Sequence, residues 1–185
     1  GCGSLVSFDS KELKAFRDRL ESMKKDAPKI VEELVIGEGV YAVKQARSIA
    51  KNEKMVDTGQ YRMNFHTGNR ANPESASKKE HDGSNPRKNG NTYQIDVYNN
   101  IDYAKHLEYG FRAHYVPPKY LSGYWKDRFP NGLTVGGKKG YVPGKYVLKR
   151  AVKRTQETQQ ARLSRKWNAK VKEYIEGGGN SGDSE

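Results

Sequence analysis

The chain has 185 residues, of which 34% are hydrophobic, enough for one domain with a modest core but not for two full domains. Its 34 Lys and Arg against 22 Asp and Glu give a net charge of +12, which favours a polyanionic environment such as nucleic acid. A single cysteine excludes an internal disulfide, and no apolar run approaches the ~18 residues that span a bilayer, so we expect a protein of the cytoplasm with no membrane partner.

The N-terminal third has the periodicity of helices. Apolar residues recur at three- and four-residue steps over residues 9–25, which predicts a first helix. Pro28 suits the first turn of a second helix, which is predicted to run to about Asn52. Gly37 and Gly39 interrupt the second pattern, so a bend or close packing is expected there. The apolar residues of the first helix are Leu13, Phe16, Leu20 and Met23.

The pattern changes to a two-residue period after Gly59. Residues 61–66 and 92–98 both alternate between apolar and polar side chains, which predicts two strands that pair antiparallel. Residues 68–91 between them contain no aliphatic residue larger than Ala. Such a segment buries too little apolar area to offset its ordering, so we expect a mobile loop at the tip of a long hairpin.

The C-terminal half is predicted to begin with a short helix that ends at Gly110. Residues 111–144 are rich in aromatics, Gly and Pro, and are expected to form a loop or loose hairpin, followed by a long polar helix to about Ile175. The predicted fold class is therefore α+β, with N-terminal helices and a long C-terminal helix packed on a small antiparallel β-sheet with a long hairpin. Residues 1–176 are predicted to form a single domain, and residues 177–185 are expected to form a disordered tail.

Asp57, Thr58 and Gly59 form the triplet that supplies the catalytic carboxylate of aspartic proteases. Those enzymes share a proton between two carboxylates, so a lone triplet would need a symmetric dimer. Here the triplet follows a predicted helix, and the bulky, charged residues 60–62 stand where a small residue is expected. We interpret it as a structural turn, in which Asp57 or Thr58 bonds the backbone and Gly59 permits the angle needed to enter a strand.

Other catalytic signals are weak. The four histidines have no paired metal-ligand spacing, and the glycine-containing stretches at 37–42 and 135–140 lack the features of nucleotide-binding loops. Asp102 and Glu108 are interpreted as parts of an exposed helix face. We therefore predict no catalytic residue, no cofactor and no metal site, and a protein that is not an enzyme.

The positive charge is concentrated in one part of the chain. Residues 138–176 contain 12 Lys or Arg and 3 Glu, a surplus of 9 positive charges out of the total of +12. A cluster at the start of the last helix could contact phosphates without sequence preference, or could be a solvated helix face. The members of the cluster are Lys145, Lys149, Arg150, Lys153 and Arg154.

Residues 109–129 are unusually aromatic. In a basic protein this could be a platform on which bases stack, but no strand pattern of a known nucleic-acid-binding fold accompanies it. A protein–protein contact surface rich in Tyr and Trp is the favoured interpretation. The aromatic residues are Tyr109, Phe111, Tyr115, Tyr120, Tyr124, Trp125 and Phe129.

Three landmarks in chain order carry a resemblance to a known family. They are the Asp57-Thr58-Gly59 triplet before a strand, the segment from Asn99 or Asn100 through Tyr103-Ala104 to Glu108 and Gly110, and the sequence Tyr146-Val147-Leu148 to Ala151 that opens the last helix. Over about residues 10–176 the chain resembles the small neck, or tail-component, proteins of tailed bacteriophages and phage-like elements. That family is usually named after gene product ten of a lambda-like phage.

The resemblance implies a non-enzymatic structural protein of the virion neck, assembled in the cytoplasm of the bacterial host. It implies a homo-oligomeric, hexameric ring between the head connector, or adaptor, and the tail, with genomic DNA in its channel. The tail-side partners would be the tail terminator or the tube and sheath proteins. The five clustered basic residues would line the channel. The ring or partner interface would include Tyr103, Leu107, Glu108, Tyr109, Phe111, Tyr115, Tyr120, Tyr124 and Trp125.

Two features depart from the compact members of the family: the aromatic insert at 111–142 is longer, and the 68–91 segment is polar and extended. The sequence of residues 141–148 is similar to that of the family members in contractile-tailed phages and defective prophages. A tail-terminator or tail-completion ring is the alternative function, because both kinds of ring need a basic channel. A non-specific nucleic-acid-binding protein is the second alternative.

Overall fold

A computed structural model of the chain describes residues 10–55, 59–70, 79–121, 123–135 and 140–177. Two long helices frame the fold: α1 (Ser10–Asn52) and, at the C-terminal end, α5 (Val147–Ile175). The short elements between them are, in chain order, α2 (Gln60–Met63), β1 (Phe65–Gly68), β2 (Arg87–Asn89), β3 (Thr92–Gln94), β4 (Asp96–Asn99), α3 (Ala104–Tyr109), β5 (Gly110–Arg112), β6 (His114–Val116), a 3-10 helix (Pro118–Tyr120), α4 (Gly123–Arg128), β7 (Leu133–Val135) and β8 (Tyr141–Pro143).

The strands form antiparallel pairs. β1 pairs with β4, with Phe65 opposite Asn99 and Gly68 opposite Asp96, and the short β2 and β3 pair at the far end of this hairpin. The insert after α3 is built the same way, since β5 pairs with β8 and β6 with β7. The predicted fold class is confirmed: the protein is mixed α+β and mostly helical, with small antiparallel sheets.

The core lies where the C-terminal half of α1 meets the start of α5, β1 and α2. Its buried members are Val43, Ala46, Ile49, Ala50, Tyr61, Phe65, Val147 and Ala151. Gly39 of α1 belongs to the same contact region, because a Cβ at this position would overlap the side chain of Thr67 in β1. The close packing expected at Gly39 is therefore confirmed.

The two helices predicted near the N-terminus are one. α1 continues through Pro28, although a proline inside a helix removes one hydrogen bond and costs about 3 kcal/mol or more. Contacts on both sides of the proline offset that cost. The Tyr174 hydroxyl of α5 donates to the Asp26 carboxylate at 2.6 Å, and Ile30 is buried.

The strand predicted from residue 61 is wrong at its start. Residues 60–63 form a helical turn, and the strand begins at Phe65. A strand would bury Tyr61, Met63 and Phe65 on one face, whereas Tyr61 and Phe65 are buried and in edge-to-face contact at 4.9 Å while Met63 is exposed. Burial four residues apart fits a helical turn, and three alternating positions were too few to distinguish the two periods.

The 68–91 segment is not a loop throughout. Residues 71–78 and the tail at 178–185 lie outside the described residues, so the mobility expected there stays a prediction. Residues 79–82 pack along β1, where the Thr67 N–H donates to the Glu80 carbonyl at 2.8 Å. Asp82 is buried, and its carboxylate accepts hydrogen bonds from the Tyr98 hydroxyl and the Asn69 N–H, both at 2.9 Å. Residues 79–82 are therefore held in place by a network of hydrogen bonds and not by the burial of apolar side chains.

The helices α1 and α5 lie antiparallel, and polar pairs join them along their length. Near the far end Asp26 binds Tyr174, and near the core Arg150 donates at 2.9 Å to Glu53, the residue that follows α1. Between these the Arg162 Nε donates to Glu38 Oε2 at 2.6 Å, with both side chains more than nine-tenths buried. The Arg162 guanidinium also lies 3.7 Å from the centre of the Tyr41 ring.

Candidate functional site

The second and third sequence landmarks meet at the N-terminus of α5. The two carboxylate oxygens of Glu108 accept hydrogen bonds from the N–H groups of Leu148 and Lys149 at 2.9 and 3.0 Å. These are among the first N–H groups of α5, which have no partner inside the helix, and a negative charge there also complements the helix dipole. Glu108 therefore acts as a cap for α5 from a distant part of the chain.

Backbone contacts hold the same junction together. The N–H groups of Lys145 and Tyr146 donate to the carbonyls of Leu107 and Glu108 at 2.9 and 3.1 Å. A Cβ on Gly144 would overlap the backbone between Glu108 and Gly110, so only glycine allows this approach. The glycine in the stretch Val142-Pro143-Gly144 is thus required by packing.

The first landmark joins the junction through α2. The Asn99 side chain donates to the Tyr61 carbonyl at 2.8 Å, and its side-chain oxygen accepts from the Ile101 N–H at 3.0 Å. Gly59 precedes α2 with a φ of 69°, a left-handed angle that favours glycine. The positive φ of Gly59 agrees with the structural-turn interpretation, but Asp57 and Thr58 lie outside the described residues and their bonding stays a prediction.

Most of the predicted interface residues are exposed, and they gather on α3 and the insert. Tyr120 and Tyr124 are 70% and 65% exposed, and the rings of Trp125 and Phe129 stack at 6.0 Å. We call the exposed set the aromatic surface; it consists of Tyr103, Tyr109, Tyr115, Tyr120, Tyr124 and Trp125. So much exposed aromatic area on one part of a small protein is typical of a contact surface.

Three predicted interface residues are placed differently. Glu108 is buried and both of its carboxylate oxygens are engaged, so the interpretation of an exposed helix face is wrong for this residue, whereas Asp102 is exposed. Leu107 is half-buried against the core, and Phe111 is half-buried with its ring 5.9 Å from that of His106. The motif spacing pointed to an outer surface at Glu108 because sequence alone does not show that α5 begins beside it.

The five predicted channel residues fall into two groups. Lys145 and Arg150 both bind Glu53, at 3.5 and 2.9 Å, and Arg150 above all holds the pKa of that carboxyl below its usual range. Lys149, Lys153 and Arg154 are exposed on α5. The Lys149 ammonium lies 5.6 Å from the centre of the Tyr146 ring, and Lys153 is 4.0 Å from Glu157. We call these three residues the basic face.

Sequence reasoning missed the buried Glu38–Arg162 pair. The only signal was the position of Arg162 in the repeat of inward-facing α5 residues, which includes Ala151 and Thr155. Within the described ranges no three His, Cys, Asp or Glu side chains lie close enough to hold a metal ion. Nor does any helix in the described part of the chain have the length and apolar character needed to cross a membrane.

Comparison with protein families gives a match over more than half of the chain. The family model described as "Bacteriophage HK97-gp10, putative tail-component" matches residues 14–110. The chain belongs to this HK97-gp10-like family. The matched residues run from α1 through α3 and contain the first two landmarks, so the resemblance seen in the sequence is confirmed. Comparisons with curated proteins and with solved structures gave no match.

Membership of the HK97-gp10-like family makes the protein a structural tail component of a bacteriophage, and it implies a place in the virion. The insert from β5 to β8 and helix α5 follow the matched residues. Most of the aromatic surface and the whole basic face therefore lie outside the part by which the family is recognised.

Proposed function

We propose that this protein forms a ring in the neck of a tailed bacteriophage, where it joins the head connector to the tail and surrounds the DNA channel. The observation that carries the proposal is the large exposed aromatic surface on a chain of a phage tail-component family. A monomer gains nothing from exposing such an area, whereas a symmetric assembly covers it. The proposed symmetry is six-fold.

The basic face gives the ring an inner lining. Lys149 and Lys153 project from α5 on the side away from its buried residues Val147, Ala151 and Thr155, and the exposed Arg154 lies at the flank of the buried face. If α5 lines the channel, these side chains face the phosphates of the genome, which they contact without reading sequence. Lys145 and Arg150 then contribute less, because Glu53 already neutralises part of their charge.

The partners follow from the position of the ring. The aromatic surface meets either the next copy or the connector protein on the head side, and the tail tube, sheath or terminator lies on the other side. No part of this role requires catalysis, so we propose that the protein is not an enzyme.

The first experiment measures assembly. The purified chain is mixed with the connector protein encoded in the same phage genome, and mass is followed by native mass spectrometry. We expect a ring of discrete mass, and substitution of Tyr120 and Tyr124 by Ser should weaken its formation or its attachment to the connector. A chain that stays monomeric with its connector and tail proteins would contradict the proposal. Met63→Ser, a change at an exposed apolar residue outside the aromatic surface, serves as the control.

The second experiment tests the channel. In assembled rings, replacement of Lys149 and Lys153 by Gln should weaken binding of duplex DNA and reduce the dependence of that binding on salt. The matched control replaces Lys170 and Lys172 by Gln, which removes the same amount of charge near the other end of α5. Equal effects of the two pairs would place the DNA elsewhere, and strong binding by the monomer would favour a free nucleic-acid-binding protein.

A tail-terminator or tail-completion ring is the second candidate, and the family description as a tail component favours it. Both candidates share the ring and the basic face but differ in the first partner. A ring that binds tail-tube protein and not the connector would support the second candidate.

A further inference from the structure

The N-terminal part of α1 extends beyond the end of its partner helix. The Arg19 guanidinium donates to the carbonyl of Ile175, the last residue of α5, at 2.8 Å. Because Asp26 lies beside Tyr174 and α5 ends at Ile175, the residues of α1 before Met23 have no α5 beside them. We call residues 10–22 the arm. Leu13, Phe16 and Leu20 on the arm are 50%, 44% and 40% exposed.

The exposed side chains of the arm belong to a longer apolar stripe. Apolar residues alternate at steps of three and four along α1, the spacing that keeps one seam facing a partner helix. The seam is buried at Ile30, beside α5, and open at the arm. Its members are Leu13, Phe16, Leu20, Met23, Ala27, Ile30 and Leu34. The arm is thus the uncovered continuation of a contact that is covered within the chain.

The described part of the chain also contains a groove. It lies between α1, α5 and the end of the β2–β3 hairpin, and its volume is about 560 Å³. Ala42, Ile95, Val152 and Leu163 give it an apolar lining. Glu38 lies at its floor, and while Oε2 of this carboxylate binds Arg162, no donor in the described part of the chain reaches the buried Oε1. The groove therefore suits an apolar segment that also brings a hydrogen-bond donor.

The arm cannot fill the groove of its own chain. Phe16 and Glu38 lie on one continuous helix, 22 residues apart, which is about 33 Å at 1.5 Å per residue. Bringing them together would break α1. The segments 71–78, 136–139 and 178–185 contain no large apolar residue that could act as a substitute. Leu5, Val6 and Phe8 precede the arm in the sequence, so they are separated from Glu38 by the whole N-terminal part of α1, and residues 56–58 contain a single large apolar residue, Val56.

We propose that the arm of one copy lies in the groove of the next copy. Leu13, Phe16 and Leu20 enter the apolar lining, as amphipathic helices do in other groove complexes. Arg17 beside them, which lies 3.9 Å from Asp18 in its own chain, exchanges that carboxylate for Glu38. The contact is head-to-tail, and such contacts give a ring when the rotation between successive copies closes and a filament when it does not. Each copy supplies one arm and one groove, so every arm is covered. This inference rests on the proposed ring and names the contact that holds it together.

The first test is a covalent trap. In a chain with Cys2→Ser, the pair Leu20→Cys and Val152→Cys should give a ladder of disulfide-linked oligomers on oxidation, and each single variant should stay unlinked. A chain with Leu20→Cys alone that forms dimers would show arms paired with each other and overturn the proposal. Absence of the ladder in assembled rings would overturn it as well.

The second test distinguishes failure of the arm–groove contact from failure of the proposed ring. Phe16→Glu should leave the helix content and the melting temperature nearly unchanged, because Phe16 is 44% exposed on the outer part of α1, but should weaken self-association by about tenfold or more. Met63→Glu, also at an exposed apolar residue, is the matched control and should have no effect. Rings that form equally well with Phe16→Glu would overturn the arm contact and leave the ring intact. A wild-type chain that never self-associates would overturn both.

Discussion

The two ends of α1 have the same apolar periodicity and different surroundings. At the C-terminal end Val43, Ala46 and Ile49 are fully buried against β1, α2 and α5. At the N-terminal end the side chains of Leu13 and Phe16 are 50% and 44% exposed to solvent. Periodicity therefore identifies which face of a helix is apolar, and only the tertiary structure shows whether this chain or another molecule covers it.

The largest expected effect lies at the buried end. Phe65→Ala removes a fully buried ring that packs on Tyr61 and on α1, and should lower the free energy of unfolding by about 3–5 kcal/mol. Urea denaturation followed by circular dichroism measures it. A loss no larger than that of a change in the arm would contradict the contrast between the two ends.

The next largest effect is expected at Glu108, which caps the N-terminus of α5 beside the core. Glu108→Gln keeps the shape of the side chain but turns an amide NH₂ toward one of two N–H donors, so we expect a loss of about 1–3 kcal/mol. Amide exchange at Leu148 and Lys149 should also become faster. Asp102→Asn, a change at an exposed carboxyl in the same segment, is the control and should leave both measurements unaltered.

A smaller effect should depend on pH. Arg87 donates two hydrogen bonds to the Asp96 carboxylate, at 2.9 and 2.7 Å, and lowers its pKa below the usual value. A lowered folded-state pKa contributes stability above the unfolded-state pKa and loses it as pH falls through the folded-state value. Because the pair is partly exposed, Arg87→Gln should cost less than about 1 kcal/mol at pH 7.

In acid the cost of Arg87→Gln should disappear, since Asp96 is then protonated in both proteins. Urea midpoints of wild type and variant, measured from pH 7 down to pH 2, should therefore converge. A constant difference across this range would assign the effect to the packing of the Arg87 side chain.

The smallest effect is expected in the arm. Leu20→Ala shortens an apolar side chain that is 40% exposed, so the stability of the monomer should change by about 0.5 kcal/mol or less. The measurement is a thermal melt at a concentration where the protein is monomeric. A loss comparable to that of Phe65→Ala would mean that residues outside the described ranges cover the arm.

Local patterns were enough for the main elements of the fold. The helical period predicted helix on both sides of Pro28 and over α5. The glycine that ends α3 and the antiparallel pairing of β1 with β4 were also predicted correctly. The errors arose where a distant contact decides the structure. Pro28 stays inside α1 because Tyr174 and Ile30 support both of its sides. Tyr61 turns into a helical segment because Phe65 packs on it.

The candidate site was predicted in part for the same reason. Exposed Tyr and Trp residues in a Gly- and Pro-rich insert can be recognised from composition, and so can a run of Lys and Arg. The burial of Glu108 and the partial neutralisation of Arg150 depend on residues about 40 and about 100 positions away. No local pattern contains that information.

The polar pairs that join the α1 region to α5 restrict where residues can be inserted into or deleted from the two helices. Asp26 with Tyr174, Glu38 with Arg162 and Glu53 with Arg150 match at three levels, so a shift of either helix by one turn would unpair all three. A deletion between two of these levels in α1 is tolerable only with an equal deletion in α5. Variants of the protein should therefore shorten or lengthen the two helices together, in steps of whole turns.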